Sequence, residues 1–204
     1  MLLAGVAPPA SRVRLGSPDG HEIFVLADAT GAWRAALPAS DSVNLYGLSA
    51  PQGGQVVQAE GYVAAAPGGE AARLRAGSGA VVFERPRSGA GLLAADFDRK
   101  GAAVLSGWAP PKSAITVNVD GAARARVEPG ADGRFMLTLD KPLGAGPHAV
   151  EVAGGGAPWR GSLDVSPASP LTAGPFRAAA VAGGWRVDWL TPGGGVQSTV
   201  IFER

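Results

Sequence analysis

The chain has no cysteine, and its 204 residues include only two histidines and 6% aromatic residues. The lack of cysteine excludes disulfides, thiol nucleophiles and thiolate metal sites, but it leaves the redox compartment open because exported domains can also lack cysteine. No apolar run approaches the roughly 18 residues of a spanning helix, so we expect a chain that does not span a membrane. Met1–Gly5 has no basic start and no long apolar segment, and therefore does not form a secretory signal.

The chain also lacks an excess of charge of either sign. Charged residues make up 17% of the chain, the formal net charge is +1, and basic and acidic side chains are balanced in both halves. A nucleic-acid-binding surface or a contact with anionic lipid needs a basic excess on one face. We therefore expect no nucleic-acid partner.

What the chain does contain is 31 glycines and 17 prolines, which predict frequent turns and few helices. Between the turns, apolar and polar residues alternate. In one such segment Ile115, Val117 and Val119 alternate with Thr116 and Asn118, the period-two pattern of a half-buried strand. Many short strands with regular turn signals are typical of β-sandwiches, so the sequence predicts an all-β fold.

A repeated stretch organises these strands. Leu105–Pro111 has an earlier copy at Leu3–Pro9, and the same offset of 102 residues aligns Gly31–Trp33 with Gly133–Phe135. Each copy reads as a strand in which glycine permits a bend and two prolines end the ladder. The repeat predicts two tandem β-sandwich domains related by internal duplication, with Trp33 and Phe135 as equivalent core residues.

The junction between the copies, Arg85–Gly91, is short and rich in residues that break strands. We predict a domain over residues 1–86, a linker over 87–91 with a limited hinge, and a domain over 92–204 that carries extra C-terminal strands. Because the repeat places Leu3–Val6 on an internal strand, we expect the natural protein to begin upstream of Met1. Val81–Arg85 resembles Val200–Arg204, so we also expect both halves to end alike, each with a Pro-Gly-Gly hairpin.

The C-terminal copy resembles a known family. It contains Gly107-x-Ala109-Pro110, then Ile115–Gly121, Asp132–Phe135 and Leu143–Val152. This pattern resembles the bacterial Ig-like repeats of exported and cell-envelope proteins, and it matches the N-terminal copy only weakly. The resemblance implies an Ig-like β-sandwich in an exported protein, periplasmic or associated with the cell envelope, and it specifies a fold far better than a function.

Residues for catalysis are scarce. His21 and His148 lie in different halves, and the chain has neither a Gly-x-Ser-x-Gly elbow nor a metalloprotease histidine pair. His148 lies where the family pattern has a histidine at a strand start, so we interpret it as structural. His21 follows a turn and is interpreted as solvated. We therefore predict no catalytic residues, no enzymatic activity and no cofactor.

One arrangement of acids is open to a metal hypothesis. Asp96 and Asp98 share a strand face, and with Asp120 or Asp132 they would supply oxygen ligands to a hard cation. The favoured interpretation is that these residues are turn formers and a solvated strand edge. We therefore predict no metal site.

Trp185 and Trp189 are the residues most open to a functional reading. Four positions apart on one strand, they would lie about 13 Å apart, a spacing that suits alternate rings of a sugar chain. Arg186 and Asp188, on the opposite face, suit solvent, so the favoured hypothesis is that both tryptophan rings are buried. Trp108, like Trp159, is less determined and is expected to be partly exposed.

The sequence predicts one of two alternative functions. The first is a non-catalytic structural or interaction module of the bacterial cell envelope that mediates protein–protein or scaffold contacts. The alternative is a carbohydrate- or peptidoglycan-binding module that uses exposed aromatics. The partner is accordingly an envelope protein or a murein glycan. Exposed, coplanar tryptophans would favour the glycan, whereas unpaired strand edges or an apolar patch would favour a protein.

Overall fold

The computed structural model describes residues 1–83, here called the N-terminal half, and 89–203, the C-terminal half. It contains 19 β-strands, all in antiparallel pairs, and these two stretches contain no helix. The predicted all-β class is confirmed. None of the described residues belongs to a helix of the length and apolar character that crossing a bilayer requires.

The strands are short and separated by turns, as the glycine and proline content predicts. Those of the N-terminal half are β1 (Leu2–Val6), β2 (Arg12–Gly16), β3 (Glu22–Leu26), β4 (Ala32–Ala36), β5 (Asn44–Gln52), β6 (Gln55–Gln58), β7 (Tyr62–Ala65), β8 (Ala71–Leu74) and β9 (Val81–Val82). Those of the C-terminal half are β10 (Gly91–Phe97), β11 (Ala103–Trp108), β12 (Ile115–Val119), β13 (Ala122–Val127), β14 (Arg134–Thr138), β15 (Gly146–Ala153), β16 (Trp159–Val165), β17 (Phe176–Val181), β18 (Gly184–Leu190) and β19 (Val196–Phe202).

The strands form four sheets that stack in layers. The outer layers are the pair β1-β4 and the sheet β13-β12-β15-β16. Between them lie a seven-stranded sheet, β3-β2-β5-β7-β8-β9 with β6 on β5, and the six-stranded sheet β14-β11-β10-β19-β18-β17. One hydrophobic cluster fills each gap: the N-terminal cluster under β1-β4, the shared cluster between the two inner sheets, and the C-terminal cluster under the four-stranded sheet.

The shared cluster joins the two halves. It combines Leu45 and Leu74 of the N-terminal half with Val187, Trp189 and Ile201 of the C-terminal half, all buried. The halves therefore pack face to face across a common core. Residues 84–88 of the predicted junction lie outside the described residues, and the division at 87–91 stays a prediction.

Strand β10 shows how the six-stranded sheet serves two cores. Leu92, Ala95 and Phe97 belong to the C-terminal cluster, while Leu93 and Ala94 belong to the shared cluster. A register shift between β10 and β11 at this point places two consecutive residues on one face, as a β-bulge does. Every residue of β10 is buried, so this strand has no solvent face.

The 102-residue repeat has matching backbone geometry in both halves. Gly5 lies opposite Trp33 in the β1–β4 ladder, and Gly107 lies opposite Phe135 in the β11–β14 ladder. In each pair the aromatic ring covers the glycine, so a Cβ there would overlap the ring. Trp33 and Phe135 are both buried, which confirms the prediction that they are core residues.

The turns after the repeated strands also agree. The amide of Ala7 donates to the carbonyl of Gly31 at 2.9 Å, and that of Ala109 donates to Gly133 at 2.8 Å. A duplication that produced both halves stays a prediction.

The halves do not end alike. The turn containing Pro67 joins β7 to β8, whereas the one containing Pro192 joins β18 to β19, the last strand. β9 has two residues and pairs with β8, while β19 has seven and pairs with both β10 and β18. The expectation of similar ends is therefore wrong for the described residues, because β19 has β10 beside it and β9 ends the seven-stranded sheet.

We expect Gly107→Ala to lower the free energy of unfolding by about 1–3 kcal/mol, the usual cost of overpacking a core. A Cβ on Gly107 would overlap the Phe135 ring and also the backbone carbonyl of Gly91 on β10. For the matched change Gly5→Ala, the nearest atoms to the new Cβ all belong to the Trp33 ring and none to the backbone of a neighbouring strand. In urea unfolding followed by circular dichroism, the free energy of unfolding should fall less for Gly5→Ala than for Gly107→Ala. Equal losses would show that overlap with the β10 backbone does not determine the cost.

Candidate interaction surface

Large apolar side chains are exposed mainly on three strands of the N-terminal half. These are Leu2 (64% exposed) and Val6 (83%) on β1, Phe24 (42%) and Leu26 (70%) on β3, and Val56 (72%) and Val57 (46%) on β6. In the described C-terminal half only Met136 and Leu190 reach comparable exposure among large hydrophobic residues. We call the six exposed residues of β1, β3 and β6 the apolar surface.

The strands that carry the apolar surface each have one unpaired edge in the described structure. β1 pairs only with β4, β3 is the end strand of its sheet, and β6 pairs only with β5. An unpaired strand leaves N–H and C=O groups available to another chain, and soluble proteins usually shield such edges with charges or prolines. Here apolar side chains stand beside the open edges instead.

Two of these strands meet at a cavity of about 210 Å³, which Val6, Val13, Trp33, Leu48 and Val57 help to line. Val6 of β1 and Val57 of β6 therefore border the same concave site. A second cavity, of about 470 Å³, lies at the opposite end of β1. Cavities therefore border the apolar surface at both ends of β1.

One segment of the sequence indicates this surface, because it departs from the alternation of apolar and polar residues. Ile23–Leu26 is apolar at four consecutive positions, although only one face of β3 contacts the N-terminal cluster. The other face presents Phe24 and Leu26. The guanidinium of Arg12 covers one side of the Phe24 ring at 3.9 Å, a cation–π contact, and Leu26 stays open.

The two histidines lie apart, as their spacing predicts. His148 Nδ1 lies 2.7 Å from the Asp120 carboxylate, and its Nε2 lies 2.8 Å from the carbonyl of Gly144. The hydrogen bond from His148 lowers the pKa of Asp120, and the same bond raises the pKa of His148. His148 thus ties the β12–β13 turn to the start of β15, whereas the side chain of His21 is 85% exposed.

The acids of the metal hypothesis do not converge. Asp98 accepts hydrogen bonds from the amides of its own turn, Asp132 accepts one from the amide of Arg134, and Asp120 faces His148. Within residues 1–83 and 89–203 no three acidic, histidine or cysteine side chains form a group suited to a metal. Three of the four are turn formers as interpreted.

Asp96 differs from that interpretation, because it is buried between the two halves rather than on a solvated edge. Its carboxylate accepts hydrogen bonds from the amide of Ala80 at 2.6 Å, the hydroxyl of Thr199 at 2.6 Å and the side-chain amide of Gln197 at 3.1 Å. Burial raises the pKa of Asp96 to about 6, and the three hydrogen bonds oppose this rise. Gln197 also accepts from the amide of Gly77, so the network links the β8–β9 turn to the six-stranded sheet.

Asp188 corrects a second expectation. It is buried rather than facing solvent, and it accepts hydrogen bonds from Arg177, Arg186 and Ser198 at 2.7–2.8 Å. Burial raises the pKa of Asp188, but the hydroxyl and the two guanidiniums outweigh it and leave the pKa below its usual value. Arg186 also lies 5.2 Å from the centre of the Phe97 ring. The network holds β17, β18 and β19 together on this face.

None of the five tryptophans, all in the described stretches, is fully exposed. Trp189 is buried, as hypothesised, and Trp185 is half-buried against the shared cluster. Trp108 and Trp159 are half-buried, as expected. Trp159 meets Phe202 edge to face at 5.3 Å, so the packing of these rings is that of a core.

Comparison of the chain with protein-family models finds no match, and comparison with curated proteins finds none either. The resemblance to Ig-like repeats therefore stays a prediction.

Proposed function

We propose that this chain is a non-catalytic interaction module of the bacterial cell envelope that binds a protein partner through the apolar surface of its N-terminal half. The observation that carries the proposal is the coincidence of exposed apolar side chains with open strand edges on β1, β3 and β6. Grooved apolar surfaces with free backbone groups suit a polypeptide, which supplies both apolar side chains and hydrogen-bonding partners.

The polar groups of the molecule support the non-catalytic part. The buried carboxylates Asp96 and Asp188 and the half-buried His148 each have partners that join separate strands or turns. Their perturbed pKa values thus have a structural cause, as ion-pair and hydrogen-bond networks often provide. The location in the envelope rests on the resemblance of residues 107–152 to bacterial Ig-like repeats.

The glycan alternative has less support. A stacking platform needs open ring faces, and the buried Trp189 meets Tyr62 edge to face at 5.9 Å. A cavity of about 310 Å³ between the halves reaches both residues and is also lined by Arg14, Gln58 and Glu60. Because Trp189 is 1% exposed, its ring offers a sugar almost no open face in this cavity.

The test is to identify proteins retained by the purified chain from an envelope extract, and then to titrate a purified candidate partner against variants. We expect the double variant Val6→Asp, Val57→Asp to weaken binding at least tenfold, because it places two charges on one apolar cavity. The control Met136→Asp, Leu190→Asp alters exposed apolar residues of the C-terminal half, 43% and 42% exposed, and should bind like the wild type.

Equal binding by both double variants would overturn the proposed surface. Saturable binding of murein fragments, with a change in tryptophan fluorescence and no protein partner, would instead favour the glycan function.

A further inference from the structure

The end of the N-terminal half is attached to its own sheet by a short ladder. Residues 75–83, here called the strap, follow β8 and include β9. The ladder between β8 and β9 has two residue pairs, and the amide of Phe83 adds one bond to the carbonyl of Ala71 at 2.8 Å. So short a strand pair contributes little stability by itself. The position of the strap therefore depends on what else it contacts.

The centre of the strap is bound by polar side chains of the C-terminal half. The carboxylate of Asp96 accepts a hydrogen bond from the amide of Ala80 at 2.6 Å. The hydroxyl of Ser106 donates to the carbonyl of the same residue, also at 2.6 Å. Both main-chain groups of Ala80 are thus satisfied by side chains of the other half, as the main chain of a bound peptide is satisfied by its receptor.

Similar bonds hold the rest of the strap. Near its start, the side chain of Gln197 accepts a hydrogen bond from the amide of Gly77 at 3.1 Å. At its end, the guanidinium of Arg134 donates to the carbonyls of Val82 and Phe83. Hydrogen bonds from the C-terminal half therefore extend from the turn of the strap to its last described residue.

The site also selects the side chains of the strap. Gly79 is buried, and a Cβ there would lie 2.8 Å from Val104 and 3.0 Å from Met136. Ala80 is 0% exposed and Val82 is 2% exposed, both within the shared cluster. The C-terminal half thus accommodates an uncharged segment with glycine and then alanine at its centre.

Packing beside the strap is incomplete. A cavity of about 140 Å³ is lined by residues 80–82 of the strap and by Leu93, Phe135 and Met136 of the C-terminal half. Side chains that border a void lack contacts on that side. Separation of the strap from this surface consequently breaks fewer contacts than separation of a close-packed strand would.

We propose that the C-terminal half carries a groove for an extended polypeptide main chain, formed by Asp96, Ser106, Arg134 and Gln197, and that the strap occupies it as a detachable ligand within the same chain. The strap leaves the groove while both halves stay folded. The open groove then accepts another extended segment with glycine and alanine at the central positions. This inference goes beyond the proposed function, because the groove belongs to the C-terminal half and shares no residue with the apolar surface.

Hydrogen exchange of the wild type tests detachment. The amides of Gly77 and Ala80 should exchange at least tenfold faster than those of β19, because a local opening exposes them without global unfolding. Arg134→Ala removes two bonds to the strap and should speed their exchange at least another tenfold, with β19 unchanged. The control Arg126→Ala, at an exposed position of β13, should leave both rates unchanged.

A peptide tests the groove. Ala80→Asp places a charge among buried side chains, so it should detach the strap and leave the groove open. A fluorescent peptide with the wild-type sequence of residues 75–83 should bind this variant saturably in fluorescence anisotropy. The wild type and the control Ala76→Asp, which alters an exposed residue of the strap, should bind the peptide at least tenfold more weakly, since their own strap competes at high effective concentration.

Two further changes test recognition in the Ala80→Asp chain. The change Gly79→Val in the peptide should weaken binding at least tenfold, because the new side chain would overlap Val104 and Met136. Arg134→Ala in the protein should weaken binding of the unaltered peptide to a similar degree, because two carbonyls of the peptide lose their donor.

Detachment is overturned if the amides of Gly77 and Ala80 exchange only as fast as those of β19, or if Ala80→Asp loses the circular dichroism spectrum of a folded β-protein. The groove is overturned if the folded Ala80→Asp chain does not bind the peptide, or if it binds the Gly79→Val peptide equally well. Equal binding by the wild type and Ala80→Asp would place the peptide at another site and would also overturn the groove.

Discussion

Replacing Trp189 with alanine should lower the free energy of unfolding by about 3–5 kcal/mol, the range for deleting a large buried aromatic side chain. The Trp189 ring is 1% exposed and fills the shared cluster between the two inner sheets. Its indole N–H donates to the hydroxyl of Thr199 at 3.1 Å, and its edge contacts Tyr62 of the N-terminal half. Truncation would leave a cavity between the halves, and the hydroxyl of Thr199 would lose the indole N–H that donates to it.

The measurement is chemical denaturation followed by far-ultraviolet circular dichroism. The matched control is Trp185→Ala, which removes the same type of side chain from the same strand and face at a half-buried position. It should lower the free energy of unfolding clearly less than Trp189→Ala does. Because the shared cluster includes both halves, Trp189→Ala should also speed hydrogen exchange on β7 and β8. A loss below about 1 kcal/mol, or exchange changes confined to the C-terminal half, would contradict a common core.

The strands could be predicted because each depends on local chemistry. The strand Ile115–Val119 has the bounds that the alternation of apolar and polar residues predicts. The hairpin turn at Asp120–Gly121 has positive φ at both residues, which aspartate and glycine tolerate well. Alternation and turn residues thus specify strands and hairpins without knowledge of the tertiary fold.

The layering could not be predicted in the same way, since it depends on which sheet faces are covered. Gly91–Phe97 is apolar at every position except Asp96, a pattern typical of a strand buried on both faces. That pattern does not say what covers each face. Asp96 meets Gln197 and Thr199 of β19, about a hundred residues away along the chain, and the amide of Ala80 in the N-terminal half, so its burial depends on the arrangement of the halves.

The apolar surface could not be predicted from the sequence either, because it also depends on which strand faces are covered. Leu2 and Val6 occupy the outward positions of β1, and the equivalent outward residues of β11, Val104 and Trp108, face the N-terminal half. The same strand pattern is therefore covered in one half and open in the other. Only the placement of the neighbouring layers distinguishes the two.

Small side chains explain how the two inner sheets approach each other. The shared cluster contains Ala64, Ala66, Ala72, Ala80 and Ala94, which fill little space between facing sheets. Close approach brings the backbone of the β8–β9 turn within hydrogen-bonding distance of the six-stranded sheet. The Asp96 carboxylate and the hydroxyl of Ser106, which donates to the carbonyl of Ala80 at 2.6 Å, satisfy that backbone.

Asp96 should make the stability of the protein depend on pH between about 4 and 6. Its pKa is about 6 in the folded protein, against 3.8 for an ordinary aspartate, so the folded state holds a proton that the unfolded state releases. Stability from this group is therefore greatest below pH 4, falls as the pH rises to about 6, and is constant above. A shift of about two pKa units corresponds to roughly 3 kcal/mol.

The prediction is tested by comparing wild type and Asp96→Asn by urea unfolding from pH 4 to pH 7. The asparagine does not titrate, so the stability of the wild type relative to the variant should decline across this range and then level off. The Asp98→Asn variant changes a carboxylate that caps an exposed turn and leaves the Asp96 network intact, so its curve should retain the decline. Thr199→Val removes a hydrogen bond to the ionised carboxylate, which favours the protonated form, and should move the decline to higher pH. A stability difference between wild type and Asp96→Asn that stays constant from pH 4 to pH 7 would show that Asp96 keeps the same charge in both states.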